Sequence, residues 1–164
     1  MEGFAIPPIS IPTNFQRMTA EALADLLHNK KDSVAVIDVR DSDFIGGHIP
    51  GAINIPFDDL EEKLEALKEH ANKEYVVFYC MYGQLRSPAA ALAFIKAAKP
   101  PSKEDAEVPL ASNTYVLVEG FRQWLKTFKG KENEMVENYD AECWNELLEH
   151  VHDQTPRSPM TTPK

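Results

Sequence analysis

The chain has 164 residues, a length that suits one domain with a sizeable core and is short for two. Its 43% hydrophobic and 26% charged residues are ordinary for a globular protein. The formal net charge of −9 argues against a nucleic-acid or anionic-membrane partner, because phosphate groups need a broad basic patch. A small anionic substrate stays compatible with this charge, since one loop of an acidic protein can be locally positive.

The two cysteines are too few for a disulfide framework or a zinc cluster, so we expect no bound metal. This cysteine usage fits a reducing compartment, and the expected location is the cytoplasm or the nucleus. No apolar run reaches membrane length, and the first residues lack the charged-then-apolar pattern of a signal peptide. A monomer is the expected form.

Strand and helix patterns alternate along the chain. Short apolar patterns typical of strands occur at residues 15–18, 34–39, 52–55, 75–79 and 114–118. Amphipathic helical patterns follow Thr19 and occupy residues 58–68, 88–98, 121–128 and 133–151. The last of these helices is expected to bury Val136, Tyr139, Cys143, Leu147 and Val151.

This alternation predicts an α/β fold: a small parallel five-stranded sheet with helices on both faces. Residues 1–14 are rich in proline and predict an extended N-terminal segment. Residues 15–152 form the predicted domain, with a long polar loop at 100–113, and residues 153–164 are predicted to be a disordered tail. Ligands of parallel sheets bind outside the carboxyl ends of the strands, so the loops at those ends are the candidate site.

One such loop joins the apolar strand at residues 75–79 to a helix. It begins with Cys80 and ends with Arg86, followed by Ser87 as the expected N-cap and Pro88 at the first helical position. A loop of this kind aims backbone N–H groups at one point, and the helix N-terminus favours an anion there. The alternative without a functional role is a buried, inert cysteine and a solvated arginine.

The loop contains the parts that oxyanion chemistry needs. Cys80 is the candidate nucleophile, because a helix N-terminus and a nearby cation favour the reactive thiolate. Arg86 can hold two oxygens of a tetrahedral anion in its planar guanidinium. The remaining predicted substrate-binding residues, which contribute backbone amides or a hydroxyl, are Met81, Tyr82, Gly83, Gln84, Leu85 and Ser87.

Two further motifs carry a resemblance to a known family. The run IDVR at residues 37–40, followed by FIGGHIPGAINIP at residues 44–56, resembles the signature of rhodanese-type domains. The stretch VEGFRQW at residues 118–124 is similar to the later strand-to-helix turn of that family. With the cysteine loop, the resemblance spans about residues 15–130 and implies the rhodanese-like fold.

Loop length separates two chemistries within this family. Its sulfurtransferases have a loop one residue shorter, sized for a persulfide. The longer C-x-x-x-x-x-R loop, seen here from Cys80 to Arg86, resembles that of the dual-specificity cell-division-cycle (M-phase inducer) phosphatases and the eukaryotic arsenate reductases. The resemblance implies a cysteine-dependent phosphatase acting on a phosphorylated protein, an arsenate reductase using glutathione and glutaredoxin, or both. A sulfurtransferase with a Cys80 persulfide and a non-enzymatic phospho-reader module are the alternatives.

The chain departs from that branch at two points. Tyr79 precedes the nucleophile where the branch usually has histidine, and Gln84 lies where the cell-cycle enzymes carry an acid nearby. Protonation of a leaving alkoxide would then come from elsewhere. Asp41, Asp43 and Glu119 are candidates because they lie at strand ends, although solvated or capping acids are the more common case.

The other singled-out residues favour structural roles. The resemblance implies that Asp38 and Arg40 pair and brace the loop. His48 lies in a Gly/Pro turn, where bonds to backbone groups are expected, and Cys143 is expected to be buried filling rather than a resolving thiol. Three tail residues precede proline and resemble acceptors for a proline-directed kinase, a pattern common in disordered tails: Thr155, Ser158 and Thr162.

Overall fold

The computed structural model describes residues 15–98 and 113–144. Within these ranges the strands are β1 (Arg17–Met18), β2 (Val34–Asp38), β3 (Ile53–Asn54), β4 (Tyr75–Tyr79) and β5 (Thr114–Leu117). The α-helices are α1 (Ala20–Asn29), α2 (Leu60–Leu67), α3 (Arg86–Ala98), α4 (Gly120–Thr127) and α5 (Glu132–Met135). Short 3₁₀ turns occupy Lys31–Ser33, Phe57–Asp59 and Lys68–His70. The predicted N-terminal segment, the tail that was predicted to be disordered and nearly all of the predicted polar loop lie outside the described residues.

The strands form one parallel sheet in the order β1-β5-β4-β2-β3. Central β2 and β4 pair over their full length, and every residue of β2 is buried, as expected for a strand covered on both faces. The predicted α/β class, with five parallel strands and helices on both faces, is therefore confirmed. The order places β4, which leads into the cysteine loop, at the centre of the sheet.

Each face of the sheet has its own apolar core. On one face, buried residues of β2 and β4 pack against α2 and α3, as shown by Ile37, Phe78, Phe94 and Ile95. On the other face, α1 and α4 contribute Leu23, Phe121 and Trp124, which pack with Val77 and Tyr79. Because side chains alternate along a strand, Tyr79 and Cys80 belong to opposite cores.

A fully buried ion pair lies at the carboxyl end of β2. Arg40 donates to both carboxylate oxygens of Asp38, with the shortest contact at 2.7 Å, and both side chains are 0% exposed. The NH2 group that makes this shortest contact also donates to the carbonyl oxygen of Gly47 at 2.8 Å, and NH1 donates to that of Asp43 at 3.3 Å. The guanidinium also lies 4.3 Å from the ring centroid of Phe121. The predicted pairing of Asp38 with Arg40 is present, and it shapes the loop after β2.

The single helix predicted for residues 133–151 is wrong. The chain is helical in α5 and leaves the helix at Val136, whose backbone is extended with φ of −137°. Asn138 then adopts a left-handed backbone with φ of 57°, which no continuous helix contains. Glu137 instead pairs with His48 in an isolated antiparallel bridge, with N···O distances of 2.8 and 3.0 Å. This bridge fastens the chain after α5 to the Gly/Pro turn before β3.

A helical conformation returns at residues 141–144, where the Asp140 carboxylate accepts from two amides of the new first turn. Of the side chains predicted to be buried, Val136 is buried, Cys143 is half-buried and Tyr139 is exposed, while Leu147 and Val151 lie outside the described residues. No helix in the described part of the chain combines the length and the apolar character that spanning a bilayer requires.

Replacing Arg40 should destabilise the fold far more than replacing an exposed cation. Arg40→Met leaves the carboxylate of Asp38 buried and unpaired, which we expect to cost about 3–5 kcal/mol in urea unfolding. Lys30→Met removes a cation from an exposed pair with Glu74, whose N···O distance is 3.3 Å. That control should cost less than about 1 kcal/mol. Equal losses in the two variants would show that the buried pair has no special weight.

Candidate active site

Cys80 follows β4 directly and is 2% exposed. Its Sγ accepts a hydrogen bond from the backbone N–H of Gly83 at 3.2 Å. The Oγ of Ser87 lies 3.3 Å from the same sulfur. Two polar groups, an amide of the loop and a hydroxyl of α3, thus converge on the sulfur, and both are able to donate to it when it carries negative charge.

The helix after the loop starts earlier than predicted. It begins at Arg86, so Ser87 lies inside its first turn rather than at the N-cap. Pro88 is tolerated there, because a first-turn residue needs no intrahelical N–H bond. The early start turns the Ser87 hydroxyl, which is 0% exposed, toward the sulfur of Cys80. The hydroxyl therefore faces the reacting atom.

The loop is fastened to α4 by backbone contacts. The amides of Phe121 and Arg122 donate to the carbonyl oxygens of Cys80 and Met81, at 2.9 and 3.1 Å. Gly120 has φ of 62°, and a Cβ placed on it would clash with the same carbonyls, meeting that of Met81 at 2.7 Å. Only glycine fits this seam between the loop and α4.

Arg86 binds two carboxylates from the loop after β2. Its NH1 and NH2 groups donate to the two oxygens of Asp43 at 2.8 and 2.6 Å, a bidentate pair. NH1 also donates to Asp41 at 3.4 Å. The carboxyl ends of β2 and β4 lie side by side in the sheet, which brings these groups together. In this structure the guanidinium is thus engaged before any oxyanion binds.

The pair shifts the pKa of both groups. Hydrogen bonding from Arg86 lowers the pKa of Asp43, and hydrogen bonding to Asp43 raises the pKa of Arg86. Asp43 is therefore ionised at neutral pH and holds no proton for a leaving group. Its contribution to stability is complete above the unfolded Asp pKa of about 3.9 and is lost as the pH falls through the lower folded value.

Tyr79 precedes Cys80 in the sequence, but its side chain points away from the sulfur. Its ring lies in the core opposite Cys80 and packs on Phe121, with the ring centroids 5.9 Å apart. Its hydroxyl accepts from the amide of Ile49 at 3.1 Å. Burial raises the pKa of Tyr79 well above its usual range, so the group stays neutral. The residue braces the Gly/Pro turn rather than tuning the thiol.

The other predicted residues occupy distinct places. Met81 is buried below the loop, whereas the side chains of Tyr82, Gln84 and Leu85 are exposed around it. Leu85 is 64% exposed, so its side chain does not line the floor of the site. Glu119 is exposed beside the loop.

His48 lies within the Gly/Pro turn. Its Nδ1 is 3.0 Å from the carbonyl oxygen of Ile49, the backbone contact that was predicted.

Sequence reasoning missed the partners of Arg86 and the role of Gly120. Asp41 and Asp43 were singled out only as possible proton donors. Their position after a strand next to β4 was the available signal, because parallel strand ends meet at one edge. Nothing in the local sequence distinguishes Gly120 from an ordinary turn glycine.

Comparison with known proteins identifies the family. A family model described as "Rhodanese-like domain" matches residues 19–127, which is most of the chain. The protein belongs to the rhodanese-like domain family, as the sequence predicted.

Its relatives point to one branch of that family. "Dual specificity phosphatase ibp1" of Schizosaccharomyces pombe is 27% identical, over 70% of this chain and 91% of its own. "CDC25-like phosphatase YCH1" of Saccharomyces cerevisiae is 26% identical, over 88% and 99%. "Arsenate reductase 2.2" of Oryza sativa subsp. japonica is 31% identical, over 65% and 79%. The predicted phosphatase and arsenate reductase branch is confirmed.

Solved structures agree with this grouping. Yeast Ygr203w, described as a protein tyrosine phosphatase of the rhodanese family, superposes with a TM-score of 0.63 at 26% identity, over 81% of this chain and 99% of its own. The As-Sb reductase from Leishmania major gives a TM-score of 0.57 at 28% identity, over 84% and 100%. Similar proteins with the same fold thus include a phosphatase and a metalloid reductase.

A side chain at Gly120 should push the cysteine loop away from α4, and this should harm the site more than backbone strain at a glycine does by itself. Gly120→Ala and Gly130→Ala both place a side chain at positive φ, but Gly130 has nothing within 4 Å of its Cβ position. We expect Gly130→Ala to cost about 1–2 kcal/mol in urea unfolding. Gly120→Ala should cost more and should weaken binding of inorganic phosphate at least about tenfold, as displaced loop amides lose their geometry. Equal phosphate affinity in both variants would contradict the seam.

Removing the charge of Asp43 should strengthen oxyanion binding. Asp43→Asn removes the bidentate anionic partner of Arg86 and leaves only the longer contact with Asp41, so inorganic phosphate should bind about threefold to tenfold more tightly at pH 7 by calorimetry. The advantage over the wild type should disappear at a pH below the lowered pKa of Asp43, where the wild-type carboxyl is also neutral. Asp59→Asn, which removes an exposed acid that is not bonded to Arg86, is the matched control. A gain as large in the control would point to net charge alone.

Proposed function

We propose that this protein is a cysteine-dependent phosphatase acting on phosphorylated protein. The observation that carries the proposal is the convergence of the Gly83 amide and the Ser87 hydroxyl on the Cys80 sulfur, at 3.2 and 3.3 Å. The presence of Arg86 six positions after Cys80 and the phosphatase relatives support it. Arsenate reduction is the second candidate, supported by the reductase relatives.

The geometry favours a simple sequence of steps. The Cys80 thiolate attacks phosphorus in line, the bond from phosphorus to the ester oxygen breaks, and the electron pair leaves with that oxygen. Arg86 exchanges the carboxylate of Asp43 for two phosphoryl oxygens and stabilises their charge, with the loop amides. Water then attacks phosphorus, and the Ser87 hydroxyl donates to the departing thiolate. Phosphate and the free thiol are the products.

A proton donor for the ester oxygen is not supplied by Asp43, which is ionised through its pair with Arg86. Esters with good leaving groups need no donor at this step, since their oxygen departs as a stable anion. Aryl phosphates, including phosphotyrosine, should therefore react faster than alkyl phosphates such as phosphoserine.

Arsenate reduction requires a thiol to reach the site. Cys80 would attack arsenate with loss of water, and glutathione would then attack the adduct. Arsenite leaves with the electron pair that reduces arsenic, and the mixed disulfide with Cys80 is reduced by glutaredoxin. Because Cys80 is 2% exposed, phosphoryl transfer is favoured: its second step requires only water to approach.

One parallel assay tests the proposal against its alternatives. Purified protein is given an aryl phosphate, arsenate with glutathione and glutaredoxin, or thiosulfate with cyanide. We expect aryl phosphate turnover, and Cys80→Ser should lower it by about three orders of magnitude or more, because the nucleophile is lost. Cys143→Ser is the matched control and should retain the activity.

Other outcomes would replace the proposal. Thiosulfate-to-cyanide transfer that depends on Cys80 would identify a sulfurtransferase. Tight phosphopeptide binding with no turnover would identify a non-enzymatic reader.

A further inference from the structure

A small cavity lies beside the cysteine loop, outside the site described above. Its volume is about 180 Å³, and its lining combines two loop residues with the residue before α4 and three residues along that helix. These residues are Tyr82, Gln84, Glu119, Arg122, Gln123 and Lys126. We call this cavity the flanking pocket.

The flanking pocket has more positive than negative charge. Arg122 and Lys126 are four residues apart on α4 and so lie on the same face, against the single carboxylate of Glu119. Within the part of the chain that the structure describes, neither cation forms an ion pair with a carboxylate. On a chain with net charge −9, two cations in one cavity make a locally favourable place for an anion.

The flanking pocket is held in a fixed position relative to the nucleophile. The backbone amide of Arg122 donates to the carbonyl of Met81, the residue after Cys80, at 3.1 Å. The Arg122 guanidinium lies over the Tyr82 ring, 5.8 Å from its centroid, and Tyr82 is 49% exposed. An anion bound here would therefore lie at a defined distance from an oxyanion in the loop.

We propose that the flanking pocket binds an acidic side chain next to the phosphorylated residue of a peptide substrate. The inference rests on the proposed phosphatase activity and deepens it, since it names the substrate class as acidic phosphopeptides. Pockets that hold drug-sized ligands measure about 300–1,000 Å³, so this smaller cavity suits one side chain better than a whole small molecule. The carboxylate would accept from Arg122 and Lys126, while the exposed Tyr82 ring packs against the peptide.

A set of matched phosphopeptides tests this assignment. Each peptide carries phosphotyrosine in a neutral sequence, with one Glu placed in turn at each of the nearest positions on either side. A partner peptide carries Gln at the same place. The readout is the ratio of kcat/KM for the Glu peptide to kcat/KM for the Gln peptide, because a ratio within one variant cancels losses of active protein.

The wild type should prefer Glu by about tenfold at one or two positions, as expected for a charge-assisted pair. The preference should fall as salt screens the pair. The double variant Arg122→Gln, Lys126→Gln should bring the ratio close to one, and Arg122→Glu, Lys126→Glu should invert it. Lys129→Gln removes an exposed charge outside the pocket and should leave the wild-type ratio.

A second measurement separates the subsite from the chemistry. Affinities of the same labelled peptides for Cys80→Ser protein, with and without the pocket substitutions, are taken from fluorescence anisotropy. Turnover without a Glu preference overturns the subsite and leaves the phosphatase. Another outcome is that the peptides bind with a Glu preference, that the Gln substitutions abolish this preference, and that the wild type has no turnover. This outcome supports the subsite and overturns the phosphatase. Neither turnover nor preferential binding overturns both.

Discussion

The buried ion pair between Asp38 and Arg40 is the interaction on which the site depends. Neither charged group has access to water, so each needs hydrogen-bond partners from the protein itself. The N–H groups of Arg40 that do not bind Asp38 donate to carbonyl oxygens of the loop after β2. Its contact with Phe121 extends this control to α4. The Arg40 side chain thus fixes both segments that border the cysteine loop. One is the loop after β2, which carries the acids bound to Arg86, and the other is α4, which makes the backbone contacts.

Asp43, in the loop after β2, competes with an incoming oxyanion for the guanidinium of Arg86. Arg86 has a bidentate carboxylate partner in Asp43, and an incoming oxyanion must offer a better one. A doubly charged tetrahedral anion, surrounded by loop amides, meets that condition more easily than a single carboxylate. The arrangement keeps a cation in place without leaving it unpaired, and it favours phosphate-like ligands over weak monoanions.

Patterns within short windows of sequence predicted the features that depend on neighbouring residues alone. The apolar strands, their alternation with helices and the junction at Cys80 follow from periodicity, and the parallel sheet follows from the alternation. The pairing of Glu137 with His48 just after α5 and the pairing of Arg86 with Asp43 are contacts between segments far apart in sequence, which no local window contains. The earlier start of α3, and with it the direction of Ser87, is likewise set by the packed loop.

The seam between the loop and α4 has an evolutionary consequence. Gly83 is packed against the backbone of Leu117 and Gly120, so the first half of the loop has a fixed length. Insertions and deletions can be absorbed only in the second half, where Gln84 and Leu85 face solvent. A change of one residue there moves the arginine while the sulfur stays in place. Descendants of a single ancestral domain could therefore exchange one oxyanion or sulfur chemistry for another by a length change at one exposed site.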